Sequence, residues 1–155
     1  MPDQTVFTAF NFRVEINVPG VSDEVCEAAF SECDGLELSM EPKTFQQGGE
    51  LTRQVHLAGQ VTYSALTLKR GMSADFTLWR WFSAVMKTDR RGLRGQASVV
   101  MLAGDGSPQV TFTLTDCLPI KLRAPALNAK DGLLAIEELQ LVYAALDIQF
   151  PGREA

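Results

Sequence analysis

Side chains that could do covalent or acid–base chemistry are few in this sequence, and they do not cluster. The single histidine, His56, stands between Val55 and Leu57 in a polar, glycine-containing stretch, so any general-base role near neutral pH would fall to that one imidazole. Every nucleophilic triad would also need His56, and no serine or cysteine can be assigned to it from the sequence, because triads are defined by geometry. The cysteines, Cys26, Cys33 and Cys117, are odd in number and lack the CxxC spacing of a zinc or redox site, so reduced thiols are expected. Glu137 and Glu138 are adjacent, but on a strand they would point to opposite faces. A carboxylate pair for acid–base work needs one member in an apolar setting, and nothing in the sequence points to such a pair. Gly48-Gly49 has neither the Lys-Ser/Thr that follows a phosphate loop nor the GxGxxG spacing of a dinucleotide site. Arg90, Arg91 and Arg94 form a basic loop, which reads as a solvated loop or half of a set of subunit salt bridges ahead of a small nucleic-acid patch. Trp79 and Trp81 could stack on bases, yet on a helix with an apolar face they suit packing or an interface better. No catalytic residue, cofactor or metal site is expected.

The elements that must carry these residues belong to one domain spanning 1–155, since 155 residues can bury a core without metals or disulfide staples. The chain is 46% hydrophobic and 21% charged, ordinary for a folded domain. A formal net charge of −5 argues against a protein whose main work is gripping nucleic acid, which needs concentrated Lys and Arg. The same acidic excess would have a use if the surface enclosed a channel passing a polyanion. The opening Met-Pro-Asp-Gln-Thr is not a basic segment leading into an apolar one, so no secretory signal is expected, and no apolar run reaches membrane-spanning length.

Phe10, Phe12, Val14, Ile16 and Val18 alternate with polar residues, the period of a strand with one wet face, and Pro19-Gly20 closes it as a turn. A second extended stretch is expected from Ala28 to Met40, interrupted near Asp34-Gly35, where a bulge or bend is natural. Glu41 to Gln60 reads as a long polar loop, and loops of that length are usually functional or ordered by a partner. Val61, Tyr63 and Ala65 then alternate, and the apolar phase slips to Leu66 and Leu68, which suggests a bulged strand ending at Lys69-Arg70-Gly71. Ser73 to Met86 is the expected helix, capped by Ser73 or Asp75, with Leu78, Phe82, Val85 and Met86 on one face. A strand from Gln96 to Ala103, the turn Gly104 to Pro108, and a long strand through Val110, Phe112, Leu114, Leu118, Ile120 and Leu122 follow. Asp116 breaks that row, and Pro119 suits an edge or bulge. Leu133 to Phe150 contains good helix formers, but its two period-two runs predict a long final strand with a phase slip. The fold class is therefore mainly β and antiparallel, with one helix.

The order of these segments resembles the tail-tube family of contractile bacteriophages and related contractile injection systems. The resemblance runs through Phe10 to Ile16, Ala29-Phe30-Ser31-Glu32-Cys33-Asp34-Gly35-Leu36, Gln47-Gly48-Gly49 and Leu57-Ala58-Gly59. Its most specific part is Leu66-Thr67-Leu68-Lys69-Arg70-Gly71 followed by Leu78-Trp79-Arg80-Trp81, similar to the family's LxLKRG…LWxW hallmark; Pro119-Ile120-Lys121 and Ala135 to Leu139 resemble its closing segments. The chain departs from the family at Ala58, where Pro is common, at Gln47, where an acid is common, and at Val142-Tyr143-Ala144.

This resemblance implies two packed antiparallel sheets forming a β-barrel with one flanking α-helix. It also implies a structural rather than enzymatic role: an inner-tube protomer made and assembled in the cytoplasm, stacking as hexameric rings around a channel. Implied partners are other copies of itself, a sheath, a baseplate hub or spike and a tube-terminating cap, with protein or DNA cargo in the lumen and no stable membrane insertion. Inter-ring contact is expected from Phe45, Gln47, Gly48, Gly49, Glu50, Arg53 and Leu57, and a subunit junction near Lys69, Arg70 and Gly71. A tube-initiator or baseplate adaptor forming a single ring is the alternative within the family. A monomeric β-barrel small-molecule binder and a hydrolase using His56 are the alternatives outside it.

Overall fold

The computed structural model describes residues 11–19, 22–28, 30–46, 48–49, 52–72, 76–87, 93–125, 127, 129–130, 132 and 135–150, and for residues 22–28 the backbone alone. Twelve strands and one helix are found among them: β1 (Phe12–Val18), β2 (Ser22–Ala28), β3 (Glu32–Asp34), β4 (Leu38–Met40), β5 (Lys43–Phe45), β6 (Val55–Leu57), β7 (Val61–Tyr63), β8 (Leu66–Gly71), α1 (Thr77–Met86), β9 (Gly95–Leu102), β10 (Pro108–Arg123), β11 (Ile136–Val142) and β12 (Ala145–Gln149). Eight strands form one antiparallel sheet in the order β2-β1-β9-β10-β11-β8-β3, with β12 also on β10.

The layout turns on β10. β9 pairs with its first part through Phe112↔Val99 and Leu114↔Ala97, while β12 and β11 run in succession along its other side, from Thr111↔Gln149 to Arg123↔Glu138. The ladder bends in the middle, where Asp116 takes φ 54 and the Ala144 N–H donates to the Thr115 carbonyl at 2.8 Å. A short polar side chain tolerates this left-handed backbone better than the β-branched residues around it would. The bend divides the structure into two packed antiparallel sheets, β2-β1-β9-β10-β12 and β10-β11-β8-β3, the arrangement that the resemblance implies, without a closed barrel among the described residues. The strands that end the path, β2 and β3, do not pair with each other among the described residues.

Period-two alternation decides what fills the space between the sheets. Val14, Ile16, Ala97, Val99 and Leu114 from the first meet Leu66, Leu68, Leu139 and Leu141 from the second, and Leu78 and Trp81 come from α1. Burying one such aliphatic side chain contributes roughly 1.5–3 kcal/mol. Trp81 is fully buried, and its indole N–H donates to the Leu93 carbonyl at 3.2 Å, satisfying the one polar atom it carries inside.

Several expectations need correction. The helix begins at Thr77, with Phe76 at its N-cap and no side-chain cap; Ser73 and Asp75 lie outside the described residues. Its buried face is Leu78 and Trp81, with Phe82 and Val85 half-buried, while Met86 is exposed. The stretch from Ala28 to Met40 is interrupted at Gly35, between β3 and β4, as expected, but its first strand begins only at Glu32, since β2 ends at Ala28. The polar stretch from Glu41 to Gln60 is not a plain loop, because it contains β5 and β6 paired to each other. Those strands are three residues long, too short to show a period. Pro119 sits at the register shift between β10 and β11, the bulge position expected for it. The final slip falls at Tyr143-Ala144, between β11 and β12. Phe10, Gly20, Arg90, Arg91 and Leu133 lie outside the described residues.

Candidate functional site

Residues 38–63 form a two-tier hairpin arm that rises from the end of the second sheet. The lower tier pairs β4 with β7, Leu38↔Tyr63 and Met40↔Val61, and the upper tier pairs β5 with β6, Lys43↔Leu57 and Phe45↔Val55. Directly paired residues share a face: Leu38, Met40, Val61 and Tyr63 make an apolar side below, and Phe45, Val55 and Leu57 share the corresponding side above with Lys43. The opposite sides carry Ser39 and Thr62, whose hydroxyls are 2.9 Å apart, and Thr44 with His56.

Between the tiers, the Glu41 N–H donates to the Gln60 carbonyl at 3.3 Å, and the chains approach so closely that a Cβ on Gly59 would lie 1.8 Å from the Glu41 oxygen. Gly48 and Gly49 turn the tip, Gly49 at φ 97. At the root, Gly35 takes φ 107 and packs on the Ala65 carbonyl, where a Cβ would sit at 2.2 Å. The Tyr143 hydroxyl donates to the Gly35 carbonyl at 3.5 Å, and its ring lies 5.6 Å from that of Tyr63. The root is thus tied to the body by backbone contact and an aromatic pair, and the arm beyond it stands in solvent.

The apolar side of the arm is unusual for a surface. Phe45 is 56% exposed, Leu57 53%, Leu38 52% and Met40 48%. Scattered exposed apolar side chains are common, but a row of them on paired strands marks an interaction surface.

The predicted interface residues sort as follows. Phe45, Gly48, Gly49, Arg53 and Leu57 are exposed on the arm, while Gln47 and Glu50 lie outside the described residues. Lys69 is on the outward side of β8, 3.5 Å from Glu32 on β3. Gly71 is exposed at the end of β8, paired with Ile136. Arg70 faces inward and pairs with Glu137, each almost fully buried. The Glu137 carboxylate also accepts the Trp79 indole N–H at 2.9 Å, and the guanidinium lies 5.7 Å from the Phe30 ring centre. The Arg70–Glu137 contact, like the exposure of Leu38 and Met40, is not among the expectations drawn from the sequence. Its signal was present: Arg70 continues the alternate row Leu66, Leu68, and Glu137 the row Leu139, Leu141, which puts both charges on the core face.

The residues considered for chemistry are dispersed. His56 is exposed on the arm opposite Thr44, and Arg94 reaches the Asp116 carbonyl at 3.5 Å. Burial, with a smaller contribution from Asp34, pushes the Cys33 thiol up to about 11; burial likewise pushes Cys117 to about 12, so both resist ionisation at neutral pH. Among the described residues, no three His, Cys, Asp or Glu side chains are grouped to hold a metal ion, and no helix is long and apolar enough to cross a membrane.

The domain is thus two packed sheets with an arm, apolar on part of its surface, standing free of its body. The sequence model of the T4-like virus tail tube protein gp19 matches residues 8–147, and the chain belongs to this tail-tube family. No protein of curated function matches it by sequence. Among solved structures, the fold is similar to a chain of the anti-feeding prophage baseplate, seen by cryo-EM with six-fold symmetry, at TM-score 0.85 and 24% identity over 97% of this chain and 100% of that one. It is also similar to a chain of the sheath–tube complex of an extracellular contractile injection system (PVC), at TM-score 0.78 and 16% identity over 95% and 93%. Hcp1 from Salmonella typhimurium shares the fold more distantly, at TM-score 0.53 and 13% identity over 90% and 87%.

Proposed function

We propose that this chain is the inner-tube protomer of a contractile injection system or contractile phage tail, assembling in the cytoplasm as hexameric rings that stack around a central channel. The observation that carries the reading is the arm: a projecting hairpin with exposed apolar residues on a member of a tail-tube family. Its length and exposure suit insertion against the next ring. Phe45, Gln47, Gly48, Gly49, Glu50, Arg53 and Leu57 are assigned to that contact. Lys69 and Gly71 are assigned to the junction between neighbours in a ring, with Arg70 holding β8 from inside. Edge strands of adjacent copies complete the closed barrel that one chain leaves open. Sheath, baseplate hub or spike and terminating cap are the other partners, and sheath contraction drives the tube and its protein or DNA cargo forward.

A second reading, an initiator or baseplate adaptor forming a single ring, is favoured by the higher similarity to the baseplate chain than to the sheath–tube chain. One experiment separates the two: negative-stain electron microscopy of the purified chain across a concentration series. Filaments of stacked rings support the tube protomer, single rings support the adaptor, and monodisperse monomers at high concentration overturn both. Phe45→Asp with Leu57→Asp is expected to abolish stacking while leaving the thermal unfolding of the protomer unchanged.

A further inference from the structure

We infer that neighbouring copies in a ring meet through two oppositely charged strand edges, the acidic edge β3 of one copy against the basic C-terminal half of β10 of the next, and that these charges admit only a head-to-tail order. The inference rests on the tube reading and adds to it which edges meet and what fixes their order.

Register sets out the outward side of the sheet β10-β11-β8-β3 in rows. One row runs Glu32, Lys69, Glu138 and Arg123 across β3, β8, β11 and β10; the next runs Asp34, Thr67, Gln140 and Lys121. Lys69 and Glu138 cancel within the first row, and Lys69 lies 3.5 Å from Glu32. Thr67 and Gln140 carry no charge in the second. Both rows therefore end on an acid at β3 and on a base at β10. All four end residues are exposed. Among the described residues, Asp34, Lys121 and Arg123 have no ion-pair partner within the chain, so their charges are open to another copy.

The backbone leaves both ends open as well. Among the described residues, β3 pairs only with β8, and β9 leaves β10 at Cys117, so one side of β10 beyond that point has no strand against it. Each strand of this sheet runs opposite to its neighbour, which makes β3 antiparallel to β10 across the four strands. A copy rotated into the next position thus presents its β10 antiparallel to β3, with Glu32 facing Arg123 and Asp34 facing Lys121 on one side of the sheet. Unlike charges directly opposed stabilise a strand pair, and like charges destabilise it. Two β3 edges would set acid on acid, and two β10 edges base on base, so two-fold dimers through either edge are disfavoured. What is left is a heterologous contact, each copy giving one edge and receiving the other, the kind that closes into rings.

The test uses full-length chains carrying Asp34→Lys or Lys121→Asp, because the row neighbours Thr67 and Gln140 are uncharged and neither change breaks an ion pair inside the protomer. Rings are counted by negative-stain electron microscopy across a concentration series. Each single change should raise the concentration needed for rings about tenfold or more. A chain carrying both changes, and an equimolar mixture of the two single variants, should form rings as wild type does, since every edge then meets an opposite charge again. Rings from either single variant at the wild-type concentration, or no recovery in the double variant and the mixture, overturn the inference while leaving the tube standing. A wild-type chain that forms no rings overturns the tube reading and this inference together.

Discussion

The guanidinium of Arg70 and the carboxylate of Glu137 form an ion pair inside the molecule, 3% and 1% exposed, between neighbouring strands β8 and β11. Two charges so placed lose their hydration and recover it only through each other and their remaining hydrogen bonds. Arg70→Met or Glu137→Gln alone should therefore cost about 3–5 kcal/mol, since each strands the other group, whereas Arg70→Met with Glu137→Leu should cost less than either single change. Urea unfolding of the four proteins measures this. A double variant less stable than both singles would show that the pair itself is a large net stabiliser.

Trp79 couples the helix to the same carboxylate through its indole N–H, 2.9 Å from Glu137. Trp79→Phe keeps most of the ring and removes the donor, with an expected loss of about 1.5–3 kcal/mol for a hydrogen bond to a charged group. Combined with the Arg70→Met, Glu137→Leu pair, the same substitution should cost much less. Equal losses in both backgrounds, read by the same unfolding curves, would assign the cost to packing.

Gly35 and Gly59 mark the root and the middle of the arm, and their substitutions should separate stability from assembly. Gly35→Ala forces a side chain onto φ 107 and into the Ala65 carbonyl of the body, with an expected cost of about 1–3 kcal/mol. Gly59→Ala drives a Cβ into the Glu41 oxygen within the arm alone, so it should leave the unfolding midpoint nearly unchanged and abolish ring stacking under electron microscopy. A destabilised body with Gly59→Ala would show that the arm is part of the cooperative fold.

Alkali should destabilise the protomer through its thiols. Cys33 and Cys117 have folded-state values of about 11 and about 12 against an ordinary value of 9.0, both raised chiefly by burial. The unfolded chain therefore releases these protons first: their contribution is fully present below pH 9.0 and is lost as pH rises through the folded values. Unfolding midpoints should fall above about pH 9, and less steeply in Cys117→Ala than in wild type. A slope unchanged by that substitution would rule out the Cys117 contribution.

Strand identity was legible wherever one face is wet and the other buried, as in Val14, Ile16 and Val18 or Leu139 and Leu141, because burial imposes a period of two on the residues themselves. The ordered motifs, above all Leu66 to Gly71 followed by Leu78 to Trp81, carried the family. The arm was not legible. Its strands are three residues long and apolar on a side that faces solvent in the protomer, so Leu38 and Met40 read as the end of an extended stretch and Phe45 and Leu57 as isolated residues of a polar one, singled out only by the resemblance, until cross-strand pairing aligned them. Arg70 and Glu137 were each legible as charges in apolar rows, but only the pairing of β8 with β11 brings them into contact. Sequence alone determined which residues of the longer strands alternate inward. The tertiary structure decided which of them meet, because register between distant strands is set by the packing of the whole sheet.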